Sequence, residues 1–255
     1  MPIATSSSTS VTGYVPAAEL LRDRVILITG AGQGLGKAAA LAFARHGATV
    51  VLHGRNVPRL EALYDEIIAL ELPQPAIFPL DLATATDVDF DGLANALHKE
   101  FGRLDGILHS AAHFVPLAPL ANQKLDQWLA LLRVNLAAPF ALTRACLTLL
   151  KAAPDASVIF TSEMHAADPK AFWGGFAVAK AGLHTLTQIW ADECTGANVR
   201  FNTLIPGPVA SPQRLQSHPG QAPKSLPSAE SLMSDYLFLI GPDSIGINGK
   251  VLSCQ

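Results

Sequence analysis

Short runs of β-branched and other apolar residues alternate with segments of helical length along most of the chain, and this alternation constrains the fold more than any other feature. The runs are "RVILITG", "ATVVLHGR", "AIFPLDL", "LDGILHSAA", "SVIFTSE", "VRFNTLIPG" and "GKVLSCQ". Strands that alternate with helices in this way form βαβ units, in which the strands are parallel and helices cover both faces of the sheet. The sequence therefore predicts an α/β fold with a doubly wound parallel sheet of about seven strands.

Length and composition predict one folded domain. The chain has 255 residues, of which 49% are hydrophobic, and this is enough for one sizeable core. We predict a single domain over residues 22–255 and a flexible tail over residues 1–21, because the first residues are small and rich in hydroxyl groups. The segment 208–230 contains five prolines, which exclude a long helix or a central strand. It directly follows a strand, so we predict a lid loop, with a plain surface loop as the alternative.

Charge and cysteine content exclude several classes of partner. The net charge is -3 and the basic residues are spread along the chain, which gives no clustered face for nucleic acid. No apolar run approaches the roughly 18 residues that a membrane helix needs, so no membrane span is expected. The cysteines Cys146, Cys194 and Cys254 lack metal-ligand spacing, and their odd number argues against a closed disulfide framework. We therefore expect no metal site and a reducing, cytoplasmic location.

A glycine-rich turn, "TGAGQGLG" from Thr29 to Gly36, lies between the first predicted strand and the first predicted helix. Glycines allow a backbone to turn tightly and to approach a pyrophosphate, and the N-terminus of the following helix offers free N–H groups. In this strand–turn–helix context the pattern predicts a Rossmann-like dinucleotide-binding fold.

The end of the second predicted strand bears on the choice of nucleotide. NAD-binding folds place an acid there to hold the ribose 2′-OH, whereas this chain reads "HGRN" and offers Arg55. A guanidinium group forms two parallel hydrogen bonds to a phosphate, which favours NADP over NAD. Gln33, where a basic residue would strengthen this preference, is neutral.

Together with "LDGILHSAA", "VNLAAPF", "IPGPV" and the F-x-x-x-K spacing of Phe176 to Lys180, the glycine turn resembles the short-chain dehydrogenase/reductase family. The resemblance covers the chain from about Arg22 onward. It implies a pyrophosphate turn formed by Gly30, Gln33, Gly34, Leu35 and Gly36, and an adenine site at Asp81 and Leu82. It further implies that Ser110 and Ala111 stand in the family's Asn-Ala-Gly segment, and that Pro206, Gly207 and Val209 hold the carboxamide of nicotinamide. It also implies a homodimer or homotetramer, paired through the helices around Asn135 and Phe176.

The catalytic positions implied by the resemblance are only half filled with the family's residues. Asn135 and Lys180 match the relay Asn and the ribose-binding Lys. Phe176 stands at the position of the proton-donating Tyr, and Glu163, thirteen residues before it, stands at the position of the Ser that polarises the carbonyl. Ser162 is adjacent, but neighbours on a strand point to opposite faces, so we do not expect it to substitute.

Two functions remain open at this point. The first is an NADP-dependent oxidoreductase acting on an unknown carbonyl or alcohol, in which Glu163 or His165 replaces the missing acid. The second is a catalytically silent relative that binds NADP(H) or a partner in a regulatory or structural role. His113 could also reach the site, although an ordinary hydrogen bond is the commoner role for either histidine.

Overall fold

Seven parallel strands form one sheet in the part of the chain that the structure describes. The computed structural model describes residues 13–222 and 225–254. The strands are β1 (Val25–Thr29), β2 (Thr49–Gly54), β3 (Ala76–Pro79), β4 (Gly106–His109), β5 (Ala156–Thr161), β6 (Val199–Ile205) and β7 (Val251–Ser253). Their order in the sheet is β3-β2-β1-β4-β5-β6-β7, and every neighbouring pair is parallel. The predicted α/β fold with a doubly wound parallel sheet is confirmed.

Helices cover both faces of this sheet. In chain order they are α1 (Gly34–Arg45), α2 (Val57–Ala69), α3 (Asp87–Phe101), α4 (Leu125–Leu132), α5 (Ala138–Ala152), α6 (Met164–Ala167), α7 (Gly174–Glu193), α8 (Pro212–Ser217) and α9 (Met233–Ile240). Helices α1, α2 and α9 pack in the hydrophobic cluster on one face, and α3, α5 and α7 in the cluster on the other. Because the central strands are buried on both faces, they need apolar residues at consecutive positions, which explains the runs in the sequence.

The long helical stretch from Leu125 to Ala152 is interrupted in the structure. A π-helical turn over Arg133–Ala137 separates α4 from α5, and the Ala138 N–H donates to the carbonyl of Arg133, five residues back. Pro139 follows at once. It has no N–H to donate to the carbonyl of Asn135, so a regular helix could not continue through this point unchanged.

This stretch is also the one helix, within the described residues, that is long and apolar enough to cross a membrane by length and composition. Its helices pack against α3 and α7, and residues such as Leu142 and Cys146 are completely buried. It is therefore placed as a core helix of the domain.

The packed domain begins earlier than the predicted boundary at residue 21. Leu21 is fully buried, and the Tyr14 hydroxyl donates a 2.6 Å hydrogen bond to Asp243. The Tyr14 ring also packs edge-on against Phe238 at 5.1 Å. Residues 13–21 therefore belong to the folded body, because aromatic and leucine side chains anchor them. Residues 1–12 of the predicted tail lie outside the described residues.

In the described part of the proline-rich segment 208–230 the α-helix is α8. In α8 the side chain of Ser211 accepts a 3.2 Å hydrogen bond from the Arg214 N–H and caps the helix. The Ala210 N–H donates to the carbonyl of Pro227 at 2.9 Å and closes the base of the segment. Residues of α8 line the cavity described below, but whether the segment moves as a lid stays a prediction.

Candidate active site

A cavity of about 540 Å³ opens at the carboxyl ends of the strands. Beside β1, which lies between β2 and β4, the direction of the strand order reverses, and ligands of open α/β sheets bind in such a crevice. The lining includes nearly all residues predicted to hold a nucleotide, namely Gly30, Gln33, Gly34, Leu35, Arg55, Asp81, Leu82, Ser110, Ala111, Lys180, Pro206, Gly207 and Val209.

The glycine turn is shaped by close contact with the segment after β4. Gly30 has a φ of +70°, and a Cβ added there would lie 2.8 Å from the Cα of Ala111. The Thr29 hydroxyl oxygen accepts hydrogen bonds of 3.1 Å from the N–H groups of Ser110 and Ala111 and fixes this contact. Gly36, which is absent from the cavity lining, needs to be Gly because a Cβ would overlap the carbonyl oxygen of Gly30.

Two arginines lie at the β2 end of the cavity. Arg55 follows β2, as predicted, and Arg59 reaches the same cavity from the first turn of α2. The Arg59 guanidinium donates a short hydrogen bond to the side-chain oxygen of Gln33. Asn56 caps α2 by accepting the Arg59 N–H at 3.1 Å, which orients that turn. Sequence reasoning missed Arg59, although its place one turn after a capping Asn was a usable signal.

This lining fits a phosphorylated dinucleotide. The N-terminus of α1 faces the cavity through Gly34 and Leu35, and a helix N-terminus favours an anion such as pyrophosphate. Two guanidinium groups at one end supply donors for one further phosphate. At the other end lie Lys180 and the segment from Pro206 to Val209.

Lys180 is buried beside Phe176 on α7. Its Nζ donates a 2.8 Å hydrogen bond to the carbonyl of Thr161 and lies 5.7 Å from the centroid of the Phe176 ring. Burial lowers the pKa of Lys180 to about 8, and the charge of Glu163 opposes this change. Phe176, only 2% exposed, gives the cavity wall a ring without a hydroxyl group.

Glu163 is the second residue after β5, at the N-cap of α6, and lines the same wall. Burial raises the pKa of its carboxyl group. The charges of His165 and Lys180, and hydrogen bonds from the backbone of His165 and Met164, lower this pKa and offset part of the rise. The neighbouring Ser162 also lines the cavity, but its hydroxyl group is directed toward α7. Its hydroxyl group lies 2.7 Å from the Nε2 of His184 on α7.

Asn135 is buried in the π-helical turn and is engaged by the backbone. Its side-chain oxygen accepts the His113 N–H at 3.1 Å, and its amide nitrogen donates to the carbonyls of His113 and Leu131 at 2.8 and 2.9 Å. The structure therefore assigns it a positioning contact with the loop after β4. Unlike the other predicted catalytic residues it does not line the cavity.

The two candidate histidines differ in position. His113 lines the cavity, and burial, followed by the charge of Arg55, lowers its pKa. His165 lies 4.3 Å from the Trp173 ring, and its Nδ1 is 3.3 Å from the carbonyl of Asp168. His165 is absent from the cavity lining. Within the described residues, no group of three or more His, Cys, Asp or Glu side chains is arranged to hold a metal.

Two further histidines lie under the nucleotide end of the cavity. His53 on β2 and His109 on β4 flank Thr29 of β1 at the same register. His109 bonds to the Thr143 hydroxyl at 2.9 Å, whereas neither ring nitrogen of His53 has a hydrogen-bond partner. Burial lowers the pKa of His53 to about 4 and that of His109 to about 3. Both rings are therefore neutral at physiological pH.

Comparison with known proteins agrees with this geometry. The family model described as short chain dehydrogenase matches residues 24–221. The chain belongs to the short-chain dehydrogenase family. It is 36% identical over 242 residues to the uncharacterized oxidoreductase YciK of Escherichia coli K12, which covers 95% of this chain and 96% of YciK. The protein is thus an oxidoreductase of this family, and its substrate is unassigned.

Two solved structures of the family are closely similar. One is described as a short chain dehydrogenase from Pseudomonas syringae, with 44% identity, a TM-score of 0.93, and coverage of 95% of this chain and 98% of that one. The other, a short chain dehydrogenase from Shigella flexneri 2a, was solved in complex with NADP. It shows 35% identity and a TM-score of 0.91, and the match covers 94% of this chain and 100% of that one.

Proposed function

We propose that this protein is an NADP-dependent oxidoreductase with an altered route for the proton. The observation that carries the proposal is the composition of one cavity. Arg55 and Arg59 lie at its nucleotide end, while Glu163, Phe176 and Lys180 share the wall at the other end. The NADP complex of the Shigella flexneri relative supports the choice of nucleotide.

The residues at the nucleotide end would hold the cofactor. The N–H groups at the start of α1 face the pyrophosphate, and the two guanidinium groups bind the 2′-phosphate. Asp81 accepts a 3.0 Å hydrogen bond from the Ala83 N–H, which orients the turn after β3 toward the adenine. When bound, NADPH supplies the hydride for reduction.

The remaining residues determine where a proton is held. In the family pattern a Tyr donates the proton and a Ser polarises the carbonyl, and we propose that Phe176 and Glu163 occupy those positions. Phe176 has no proton to donate. Glu163 and Lys180 are both titratable groups on this wall. Burial raises the pKa of Glu163, while the positive charge of Lys180 opposes this rise and favours the ionised carboxylate. Lys180 stays close enough to act on it through its charge.

Arg59→Ala is expected to weaken NADPH binding about tenfold or more, because a hydrogen bond between charged groups contributes roughly 1.5–3 kcal/mol. Arg55→Ala should have a similar effect, and NADH binding should hardly change because NADH has no 2′-phosphate. Calorimetric titration with both nucleotides measures the ratio of their dissociation constants. Arg22→Ala, at an exposed position paired with Glu19, is the matched control. Equal losses for NADPH and NADH would contradict the assignment.

Nucleotide titration followed by a substrate panel tests the proposed function. Micromolar binding of NADPH, tighter than that of NADH, together with NADPH oxidation that depends on an added substrate, is the expected result. Binding without turnover on ketones, aldehydes, imines and alcohols would favour the silent alternative, in which the protein acts through a partner. If neither nucleotide binds, the proposal is wrong.

We further propose that the chain forms a homodimer or homotetramer in the cytoplasm. Large apolar side chains are exposed on α4, α5 and α7, namely Leu125, Leu129, Phe140, Val178 and Ile189. Exposed patches of this kind mark association surfaces. All three cysteines are free thiols, which supports a reducing compartment.

Leu129→Glu is expected to produce monomers, because it places a charge within this exposed apolar surface, where Leu129 is 54% exposed. Light scattering coupled to size-exclusion chromatography measures the mass. The same change at an exposed apolar residue elsewhere, Val88→Glu on α3, should leave the mass unaltered. A wild-type monomer at micromolar concentration would refute the assembly.

A further inference from the structure

The substrate end of the cavity combines a carboxylate with aromatic rings. Glu163, Phe114 and Phe176 all line it. The two rings pack edge to face with centroids 5.1 Å apart, and Phe114 also lies 6.0 Å from Trp173, which supports it from behind. Aromatic rings next to an anionic group are what proteins use to bind organic cations.

The carboxylate is available for such a ligand. Lys180 directs its hydrogen bond to the carbonyl of Thr161 and influences Glu163 through its charge. In the described part of the chain, the salt bridges lie at other residues. Glu163 is partly exposed at the cavity. An ionised carboxylate accepts hydrogen bonds and attracts positive charge, and it has no proton to donate to a carbonyl oxygen.

The other polar groups on this wall are already engaged. Lys180, whose pKa is lowered to about 8, donates to the carbonyl of Thr161, and the Ser162 hydroxyl group lies 2.7 Å from the Nε2 of His184. The three tyrosines lie elsewhere, since Tyr14 binds Asp243, Tyr64 binds Gln74 and Tyr236 is fully buried. His113 lines the cavity, but its lowered pKa makes it neutral at physiological pH. A reduction that needs no proton in the hydride step suits this wall better than one that needs a proton.

The charge changes of the two possible reductions differ. Hydride addition to a neutral carbonyl creates an alkoxide beside Glu163, and two negative charges at close range repel strongly in a partly buried site. Hydride addition to the carbon of a C=N⁺ group turns the π electron pair into the lone pair of a neutral amine. The single positive charge then passes from the substrate to the oxidised nicotinamide, and it remains within the field of Glu163 throughout.

We propose that the substrates of this site are cationic imines, either protonated imines or quaternary iminium ions, which the wall of Glu163, Phe114 and Phe176 binds. NADPH is the reductant, the hydride forms the new C–H bond, and the products are an amine and NADP⁺. This inference rests on the proposed oxidoreductase function and gives it a substrate class.

A matched pair of bicyclic compounds tests this proposal on the full-length protein. N-methyl-dihydroisoquinolinium is a permanent iminium cation, and tetralone is a neutral ketone of similar shape. We expect NADPH oxidation with the iminium ion to be at least about 10²-fold faster than with tetralone, because tetralone lacks its acid catalyst. Glu163→Gln should reduce kcat/KM for the iminium ion about tenfold or more. Glu100→Gln, at an exposed acid on α3, should leave it unchanged.

A binding readout separates this inference from the proposed function. N,N-dimethyl-tetrahydroisoquinolinium is an unreactive cation, and its affinity is measured by calorimetry with and without NADPH. Glu163→Gln is expected to weaken its binding about tenfold, and Glu100→Gln should have no effect. If the cation fails to bind, or binds equally to wild type and Glu163→Gln, the cationic substrate class is refuted. If tetralone reacts as fast as the iminium ion, the substrate class is refuted while the oxidoreductase function stands. Failure of NADPH to bind would refute the oxidoreductase function itself.

Discussion

The double substitution E163S/F176Y is expected to raise NADPH-dependent reduction of simple ketones and aldehydes by about 10²–10⁴-fold, the usual contribution of a positioned acid or base. Tyr at residue 176 would place a phenol near the buried ammonium group of Lys180, which lies 5.7 Å from the present ring centroid. A positive charge at this range lowers the pKa of a phenol and prepares it to exchange its proton. Ser at residue 163 would remove the carboxylate and offer a neutral donor to the carbonyl.

Single variants reveal whether the two positions act as one unit. Phe176→Tyr alone should raise the rate of carbonyl reduction much less, because the Glu163 carboxylate still opposes the developing alkoxide. Effects within one catalytic unit are also not additive. Phe172→Tyr adds a phenol at an exposed Phe just before α7 and serves as the control. The rate of NADPH oxidation over a carbonyl panel is the measurement. A double variant that binds NADPH normally yet is no faster than wild type would show that these positions are not catalytic.

His53→Leu is expected to make the free energy of unfolding less sensitive to acid. Wild-type His53 has its pKa lowered by burial to about 4. Between pH 6.5 and 4 the unfolded chain therefore binds a proton that the folded chain excludes, and the free energy of unfolding falls as the pH falls. For a fully buried ring the full loss across this interval is about 3 kcal/mol. The variant should lack that part of the loss.

Urea unfolding at pH 7 and pH 4 measures this difference. His98→Leu, which removes an exposed ring on α3, is the matched control. His109 adds to the same acid sensitivity, since its pKa is lowered to about 3 by burial and by the charge of His53. A His53→Leu protein that loses as much stability as wild type between the two pH values would disprove this account of His53.

The sequence predicted the sheet well because its signal is local. A strand buried on both faces, such as β1, is apolar at nearly every position, and the alternation with helices then leaves few topologies. The glycine turn was predictable for the same reason, because its strand, turn and helix are contiguous. In contrast, the composition of the predicted tail did not indicate that Tyr14 would form a hydrogen bond with Asp243, which is far away in the sequence.

Much of the candidate site depends on contacts between distant segments. Arg59 reaches Gln33 only because the turns after β1 and β2 are neighbours in space. The aromatic contacts among Phe114, Trp173 and Phe176 join the loop after β4 to α7. Pro139 follows the π-helical turn that holds Asn135, and the way the backbone departs from a regular helix there is a matter of its geometry. Residue patterns alone do not contain these distances.

On the proposed binding of NADP, the contact between Arg59 and Gln33 would make nucleotide selection an exchange of hydrogen-bond partners for Arg59. In the structure the guanidinium already donates to a neutral amide oxygen. A 2′-phosphate would therefore gain the difference between a charged and a neutral acceptor, while NADH would leave the existing pair intact. On this proposal the site would bind a nucleotide without the 2′-phosphate, and it would bind one that carries the phosphate more tightly.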